Sequence, residues 1–207
     1  ARQSGICLAP SGSNNDGWRT TTNYDAISGA TALTVVVEFV ARTGTTGVVF
    51  GRWGTTAAYG GMIVTMDSGA VGFIVGSGFG TATWRGQRST AITPGKRHRF
   101  VGVWRGTSNM EIYLDGVACP ANIWFSGSPS NIQTASERLY VCRHADAGTG
   151  DTGIGIAVSL LGISLNEISA AQAKELSANP WQLFAPRRPP MFAPGTAAAT
   201  TPTLSAA

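Results

Sequence analysis

Charge is what this sequence has least of. Only 13% of its 207 residues are Asp, Glu, Lys or Arg, where an ordinary soluble domain carries about a quarter, so Ser, Thr, Asn and Gly must cover most of the surface. Lysine is nearly missing: thirteen of the fifteen cations are Arg. There is no uninterrupted apolar run of about 18 residues to cross a bilayer as a helix, and no Glu-, Lys- and Leu-rich periodicity to make a coiled coil. What is plentiful is apolar or turn-forming: 43% hydrophobic residues, six Trp and 27 Gly. Such a chain is not disordered, and Gly and Thr scattered between short β-branched runs predict an all-β domain. The length suits one large sandwich, since no linker interrupts the first 180 residues.

Cysteine is equally sparse. Cys7, Cys119 and Cys142 form an odd set with neither a CxxC nor zinc-type Cys/His spacing, which argues against a disulfide-stapled secreted scaffold. Cys119 and Cys142 can bridge only if their strands meet. Ala1-Arg2-Gln3-Ser4 is polar and no apolar signal-peptide core follows it; a small first residue without Met fits removal of an initiator Met, so synthesis in a cytosol is expected. The formal charge of +4 is spread along the chain. Its densest group, Lys96-Arg97-His98-Arg99 with Arg105, reads as Arg on strand faces and loop ends and not as a phosphate-binding stripe, so neither nucleic acid nor membrane is an expected partner.

Period-two alternation marks the strands. The strongest is 32–41, with Val35, Val37 and Phe39 on one face and Thr34, Val36, Glu38 and Val40 on the other. A second runs over 47–53. Strands at 61–66 and Ala70–Gly76 are joined by Asp67-Ser68-Gly69, with Gly where a positive φ is needed. Strands at 100–105 and Met110–Leu114 follow, then the tight turn Asp115-Gly116 into 117–119. Later runs lie at 122–125, 139–143 and 154–164.

One helix interrupts this pattern. Ser169-Ala170-Ala171-Gln172 fits a capping box, Ile168 can staple onto Ala173, and Asn179-Pro180 ends the helix. Beyond Phe184 the chain turns to Pro186, Pro189, Pro190, Pro194 and an Ala/Thr-rich tail, which predicts an extended strap or linker. The expected organisation is an N-terminal arm over 1–11, a sandwich over 12–184 and a tail over 185–207. Many short strands and one late helix make the expected fold a two-sheet antiparallel jelly-roll sandwich.

The run from Gly95 through Lys96-Arg97-His98-Arg99-Phe100-Val101-Gly102-Val103-Trp104-Arg105 to Gly106, followed by Met110-Glu111-Ile112-Tyr113-Leu114-Asp115-Gly116, resembles the laminin-G-like, concanavalin-A-like jelly-roll family. There a Gly-Lys-Trp-His type turn precedes a strand, and the hairpin ends in Tyr-x-Asp-Gly. Ile168-Ser169-Ala170-Ala171-Gln172-Ala173 looks like that family's closing helix, and the similarity spans most of 12–180. Arg97 stands where the family commonly has Trp, and Gly102 where a β-branched core residue is common. The ending Asn179-Pro180-Trp181-Gln182-Leu183-Phe184-Ala185-Pro186-Arg187-Arg188 is similar to that of jelly-roll domains in bacteriophage and prophage virion proteins. The resemblance implies a virion protein, assembled in the host cytoplasm, whose partners are other virion proteins and copies of itself.

Chemistry-bearing motifs are few. Glycoside hydrolysis needs two carboxylates about 5–5.5 or 6.5–9.5 Å apart. The retaining jelly-roll enzymes supply theirs from an E-x-D-x-x-E strand, and no such run occurs here. Glu38 and Glu111 fall on strands, each with an ordinary solvent-face reading. There is no Gly-x-Ser-x-Gly elbow, and His98 and His144 are the only histidines. Cys142 and His144 at i, i+2 would share one strand face as a thiolate pair, although a buried structural Cys is the plainer role. The Gly-rich loop 144–153 offers Asp146 and Asp151 as hard-cation ligands, or as Asp side chains that satisfy their own turn amides. No cofactor is expected beyond that calcium possibility.

Glycan binding needs flat aromatic carbon and planar polar groups. Trp84 and Arg85, with polar neighbours on both sides, are the leading candidates, followed by Trp53 and Tyr59. Trp104 beside Arg105 is also available, and Trp181 and Phe184 should pack the post-helix segment on the sandwich. The expected function is that of a non-enzymatic virion structural protein with a lectin-like jelly roll, serving particle assembly and host-glycan recognition as a tail-fibre or receptor-binding module. Pro186, Arg187, Arg188, Pro189 and Pro190 are its assembly candidates. The alternatives are a capsid decoration protein strapped to its neighbours by the tail and, in another class, a secreted carbohydrate-active enzyme.

Overall fold

The computed structural model describes residues 18–42, 46–54, 60–134, 137–142 and 155–184. Along them run β1 (Trp18–Arg19), β2 (Leu33–Ala41), β3 (Gly47–Gly54), β4 (Gly60–Asp67), β5 (Ala70–Gly76), β6 (Trp84–Ala91), β7 (Arg97–Trp104), β8 (Met110–Leu114), β9 (Val117–Ala118), β10 (Asn122–Ser126), β11 (Tyr140–Val141), β12 (Ile156–Ser164) and the helix α1 (Ala170–Ala178). One sheet has seven strands in the order β1-β11-β3-β4-β5-β6-β10, the other five in the order β12-β2-β7-β8-β9. Every pairing is antiparallel. This is the expected jelly-roll sandwich. The stretch 84–91, read from sequence only as a polar-flanked segment, is a full strand of the seven-stranded sheet.

The strand alternation sorts side chains as anticipated. Val35, Val37 and Phe39 of β2, with Phe100 and Trp104 of β7, meet Val64, Met66, Phe73 and Val75 of the other sheet in one core. Fully burying a side chain of this kind contributes about 1.5–3 kcal/mol. Gly102 faces the same core, and Phe73 fills its space from the opposite sheet: a Cβ on Gly102 would lie 2.6 Å from that ring. The space beside Gly102 is therefore filled from across the sandwich. Arg52 is also fully buried. Its guanidinium donates to Gln133 O at 3.0 Å and Ser28 Oγ at 2.7 Å; burial lowers its pKa, partly offset by Asp25 and Glu137.

Two hairpins close as their turn residues dictate. Ser68-Gly69 and Asp115-Gly116 each have positive φ at both positions, the requirement of a two-residue primed turn matched to strand twist. The thiol of Cys119 is free, so it does not bridge Cys142.

The outer face of the five-stranded sheet is covered by the chain itself. Ala173 of α1, with Ile168 and Leu176, packs on Val36, Val101, Val103 and Tyr113. The capping box is complete: Gln172 N donates to Ser169 Oγ at 3.3 Å, and Ser169 N donates to Gln172 Oε1 at 2.9 Å. The basic group around β7 clamps the helix at both ends, with Arg105 donating to Ile168 O and Arg99 to Ala178 O, each at 2.8 Å. Glu38, given a solvent-face reading from sequence, is in fact fully buried. It accepts from Ser159 Oγ at 2.7 Å, Arg99 Nε at 3.1 Å and Trp181 Nε1 at 3.2 Å, with Arg97 3.5 Å away. Burial pushes its pKa up, but those three hydrogen bonds and the Arg97 charge outweigh that and hold it below the ordinary value. Trp181 thus packs the post-helix turn on the sandwich as expected, while Phe184 stays 65% exposed.

Candidate functional site

The outer face of the seven-stranded sheet is built differently. In β5, Val71, Phe73 and Val75 point into the core, which leaves Gly72, Ile74 and Gly76 on the outside. Glycines at two of these three positions open a trough along the strand. Aromatic side chains lie in it: a Cβ on Gly72 would be 2.9 Å from the Trp124 ring, one on Gly76 2.7 Å from Trp84, and one on Gly86 of the neighbouring β6 2.9 Å from Phe125.

Trp124 and Phe125 are consecutive, so regular alternation would send them to opposite faces. A β-bulge in β10 prevents this. Ile123 pairs with Gln87 and Phe125 with the adjacent Gly86, so Trp124 is the extra residue and both rings project outward. A bulge on an edge strand is a recurrent way to re-aim a side chain. The two rings stack at 5.2 Å and 23°. Phe125 meets Trp84 edge-on at 5.4 Å, and Trp84 meets Trp53 at 5.2 Å, so an aromatic row crosses the face. The Arg88 guanidinium sits 3.8 Å over the Trp124 ring and is itself paired with Asp67 at 2.9 Å.

Beside the row, an open groove of about 710 Å³ is lined by Thr81, Ala82, Trp124, Phe125, Ser126, Gly127 and Ser128. Its shape depends on Gly127, where any Cβ would collide with the carbonyl oxygens of Ala82 and Trp84. This close approach fixes the 126–128 segment against the Thr81–Thr83 turn. Among the described residues, no intramolecular hydrogen bond engages the hydroxyls of Thr81, Ser126 or Ser128, and all three residues are exposed.

The sequence candidates divide accordingly. Trp84 belongs to the row but is partly buried and tied down, its Nε1 donating to Gly78 O at 2.8 Å. Trp53 is only 8% exposed; it is a packing residue behind Trp84 and not the exposed platform expected, because it lies over the glycine trough and Trp84 covers it. Trp104 is fully buried. Arg85 pairs opposite Val75, on the inward side of the sheet, so it does not accompany Trp84 at the surface. Tyr59, Asp146, Asp151, Pro186, Arg187, Arg188, Pro189 and Pro190 lie outside the described residues. Among the described residues, no cluster of three or more His, Cys, Asp or Glu is placed to hold a metal.

Sequence reasoning missed Trp124, Phe125 and Arg88. The signal was present in two places: the adjacent aromatics of 122–125, and Gly72 and Gly76, four residues apart on the solvent side of β5. Glycines in that pattern call for something lying flat above them.

No protein-family profile matches the sequence, and no curated protein is significantly similar to it. Solved structures do match in shape. A native heptameric SAP-like pentraxin from Limulus polyphemus superposes with a TM-score of 0.62 at 14% identity, covering 86% of this chain and 83% of that one. The LG4-5 domains of the mouse laminin alpha1 chain give 0.60 at 13% identity, over 82% of this chain and 45% of theirs. The CBM40 domain of the Ruminococcus gnavus IT-sialidase, solved with alpha2,3 sialyllactose, gives 0.57 at 10% identity, over 78% and 95%. The chain therefore has the concanavalin-like jelly-roll fold of these lectin-type domains. At such identities the likeness is one of architecture.

Proposed function

We propose that the chain is a non-enzymatic, lectin-like module that recognises glycans through the outer face of its seven-stranded sheet. The observation that carries this reading is the bulge in β10, which sets Trp124 and Phe125 side by side at the rim of a groove whose other walls bear hydroxyls. Aromatic carbon for the apolar face of a sugar and a few placed polar groups for its hydroxyls are what such a ligand requires. Domains of the same fold include one solved with a sialylated sugar, which supports the reading. Among the described residues the groove lining carries no ionisable side chain, which suits binding more than bond cleavage. Glycan-array binding by the intact chain, lost in Trp124→Ala with the melting profile kept, is the expected result; polysaccharide cleavage abolished by a single carboxylate substitution would overturn it.

The setting we propose is a bacteriophage virion, with the module as a tail-fibre or receptor-binding part. Its support is the virion-like ending Asn179–Arg188 and the Pro-rich tail beyond it. One observation favours the decoration alternative: Leu183 and Phe184 are 55% and 65% exposed where that tail begins, an apolar site suited to a neighbouring virion subunit. Deleting 186–207 separates the two. Lost particle assembly without any glycan binding favours decoration, and retained glycan binding favours receptor recognition.

A further inference from the structure

We infer that the chain pairs with a second copy of itself along β12, edge to edge, so that the two five-stranded sheets become one continuous sheet. This goes beyond the glycan reading and does not depend on it.

The sheet edges differ in how they are protected. An exposed edge strand offers unpaired N–H and C=O groups to another chain, and proteins commonly blunt it by shortness, a bulge or a charge. Among the described residues, β1 and β9 are two residues long, and β10 carries its bulge in the middle of five. β12 is nine residues long, pairs with β2 on one side and has no described strand on the other. Its bulge falls at Ser159, whose hydroxyl is bound to Glu38 of the same chain. Beyond it, 160–164 pair with β2 without a break. No Asp, Glu, Lys, Arg or Pro interrupts 156–164.

The side chains make this edge apolar on both faces. Leu161 and Ile163 sit opposite Val37 and Val35 and pack on the core, while Leu160 faces outward with the α1 group. All three are only half-buried, although Val35, Val37 and Glu38 beside them are fully buried. The chain after α1 adds to this edge. It leaves the helix over β7, where Arg99 holds Ala178 O, and crosses β2, where Trp181 meets Glu38 opposite Leu160. That course carries it toward β12 as it reaches the exposed Leu183 and Phe184, the Phe184 ring lying 5.9 Å from that of Trp181.

Charge and symmetry name the occupant. With a net charge of +4 two copies repel in general, and like charges set directly opposite on paired strands destabilise; an uncharged strand is where copies can meet. Antiparallel pairing about a two-fold axis at Gly162 sets Leu161 of each copy opposite Ile163 of the other, and Leu160 opposite Ser164. The same half-buried groups then cover one another twice. A strand pair alone is a small contact, and Leu183 and Phe184 extend it toward the roughly 800 Å² per partner of a stable interface. β9 is the opposite edge of this sheet from β12, and β10 follows β9 after a short connection, so pairing leaves both aromatic rows uncovered.

Sedimentation of the intact chain at about 100 µM, well above the micromolar dissociation constant expected of a small interface, should give twice the monomer mass. Leu161→Lys, which sets a charge in the edge, should weaken the dimer by at least about tenfold. Gly162→Cys keeps the pairing testable even where that variant folds poorly. A Cβ at 162 meets only Val36, at 3.8 Å, and the two copies of the position stand within disulfide reach across the axis. Mild oxidation should therefore link the chains beyond any linkage of the parent. A monomer at that concentration overturns the inference, as does a dimer that is unaffected by Leu161→Lys and not linked through Gly162→Cys. So does a monomer that dimerises only when 185–207 are deleted, which would give the edge to the chain's own tail.

Discussion

The two outer faces of this sandwich begin with similar material and end differently. Each is a sheet surface with apolar side chains and nearby arginines. On the five-stranded sheet the arginines are spent on the chain's own helix: Arg99 and Arg105 hold the carbonyls of Ala178 and Ile168, and Glu38 collects Ser159, Arg99 and Trp181 over its carboxylate. On the seven-stranded sheet no helix among the described residues lies over the aromatic row, and the arginine nearest it, Arg88, braces a ring. The first face is sealed by covalently attached structure. The second carries a half-buried aromatic row that no described helix covers. A buried carboxylate is thus a mark of closure here, and an aromatic row over glycines a mark of availability.

Several changes would break or sharpen that contrast. The largest effect belongs to Glu38→Leu, which leaves the Trp181 N–H and two guanidinium groups without their acceptor; a loss of about 3 kcal/mol in denaturant unfolding is expected, and a loss within experimental error would mean the face is not sealed by this group. The same residue gives a pH dependence. Its folded pKa lies below the unfolded value of about 4.3, so its contribution is complete above that value and disappears as the pH falls through the folded one. Glu38→Gln should flatten this acid limb.

Next comes Gly72→Val, which drives a side chain into the Trp124 ring from below. It should cost about 1–3 kcal/mol as overpacking and should abolish glycan binding, a double loss that Glu38→Leu does not share at temperatures where it remains folded. Smaller again is Ser169→Ala, which removes the helix cap and should lower stability by about 1 kcal/mol in thermal unfolding while glycan affinity stays unchanged. Smallest in stability is Ser128→Ala, within about 0.5 kcal/mol of the parent, because this groove-lining residue is exposed. Only its affinity should move.

Much of the fold was legible in the sequence because its signals are local. Period-two runs placed β2, β4, β5 and β8 to within a residue or two; Ser68-Gly69 and Asp115-Gly116 specified their turns by the backbone angles they favour; Ser169 and Gln172 declared the helix start. The sites were harder because they depend on register. Glu38 reads as solvent-facing from its own strand, and only the return of α1 and Trp181 buries it. Trp53 and Trp84 look alike in sequence, but the glycine trough and Trp84 itself cover Trp53. Trp124 and Phe125 share a face solely through a bulge, and alternation misassigns one of any two neighbours at a bulge. The strand β6 was missed because its outward positions are Trp84, Gly86 and Arg88, a pattern whose apolar content lies in the rings laid over it.

The most direct measurement of the central claim is amide and indole chemical-shift mapping during titration with an oligosaccharide bound on the array. Shifts confined to Thr81, Ala82 and 124–128, including the Trp124 indole N–H, with Val36, Val101, Tyr113 and α1 unmoved, are what the contrast between the two faces predicts. Shifts centred on α1 and the five-stranded sheet, with the aromatic row silent, would contradict it.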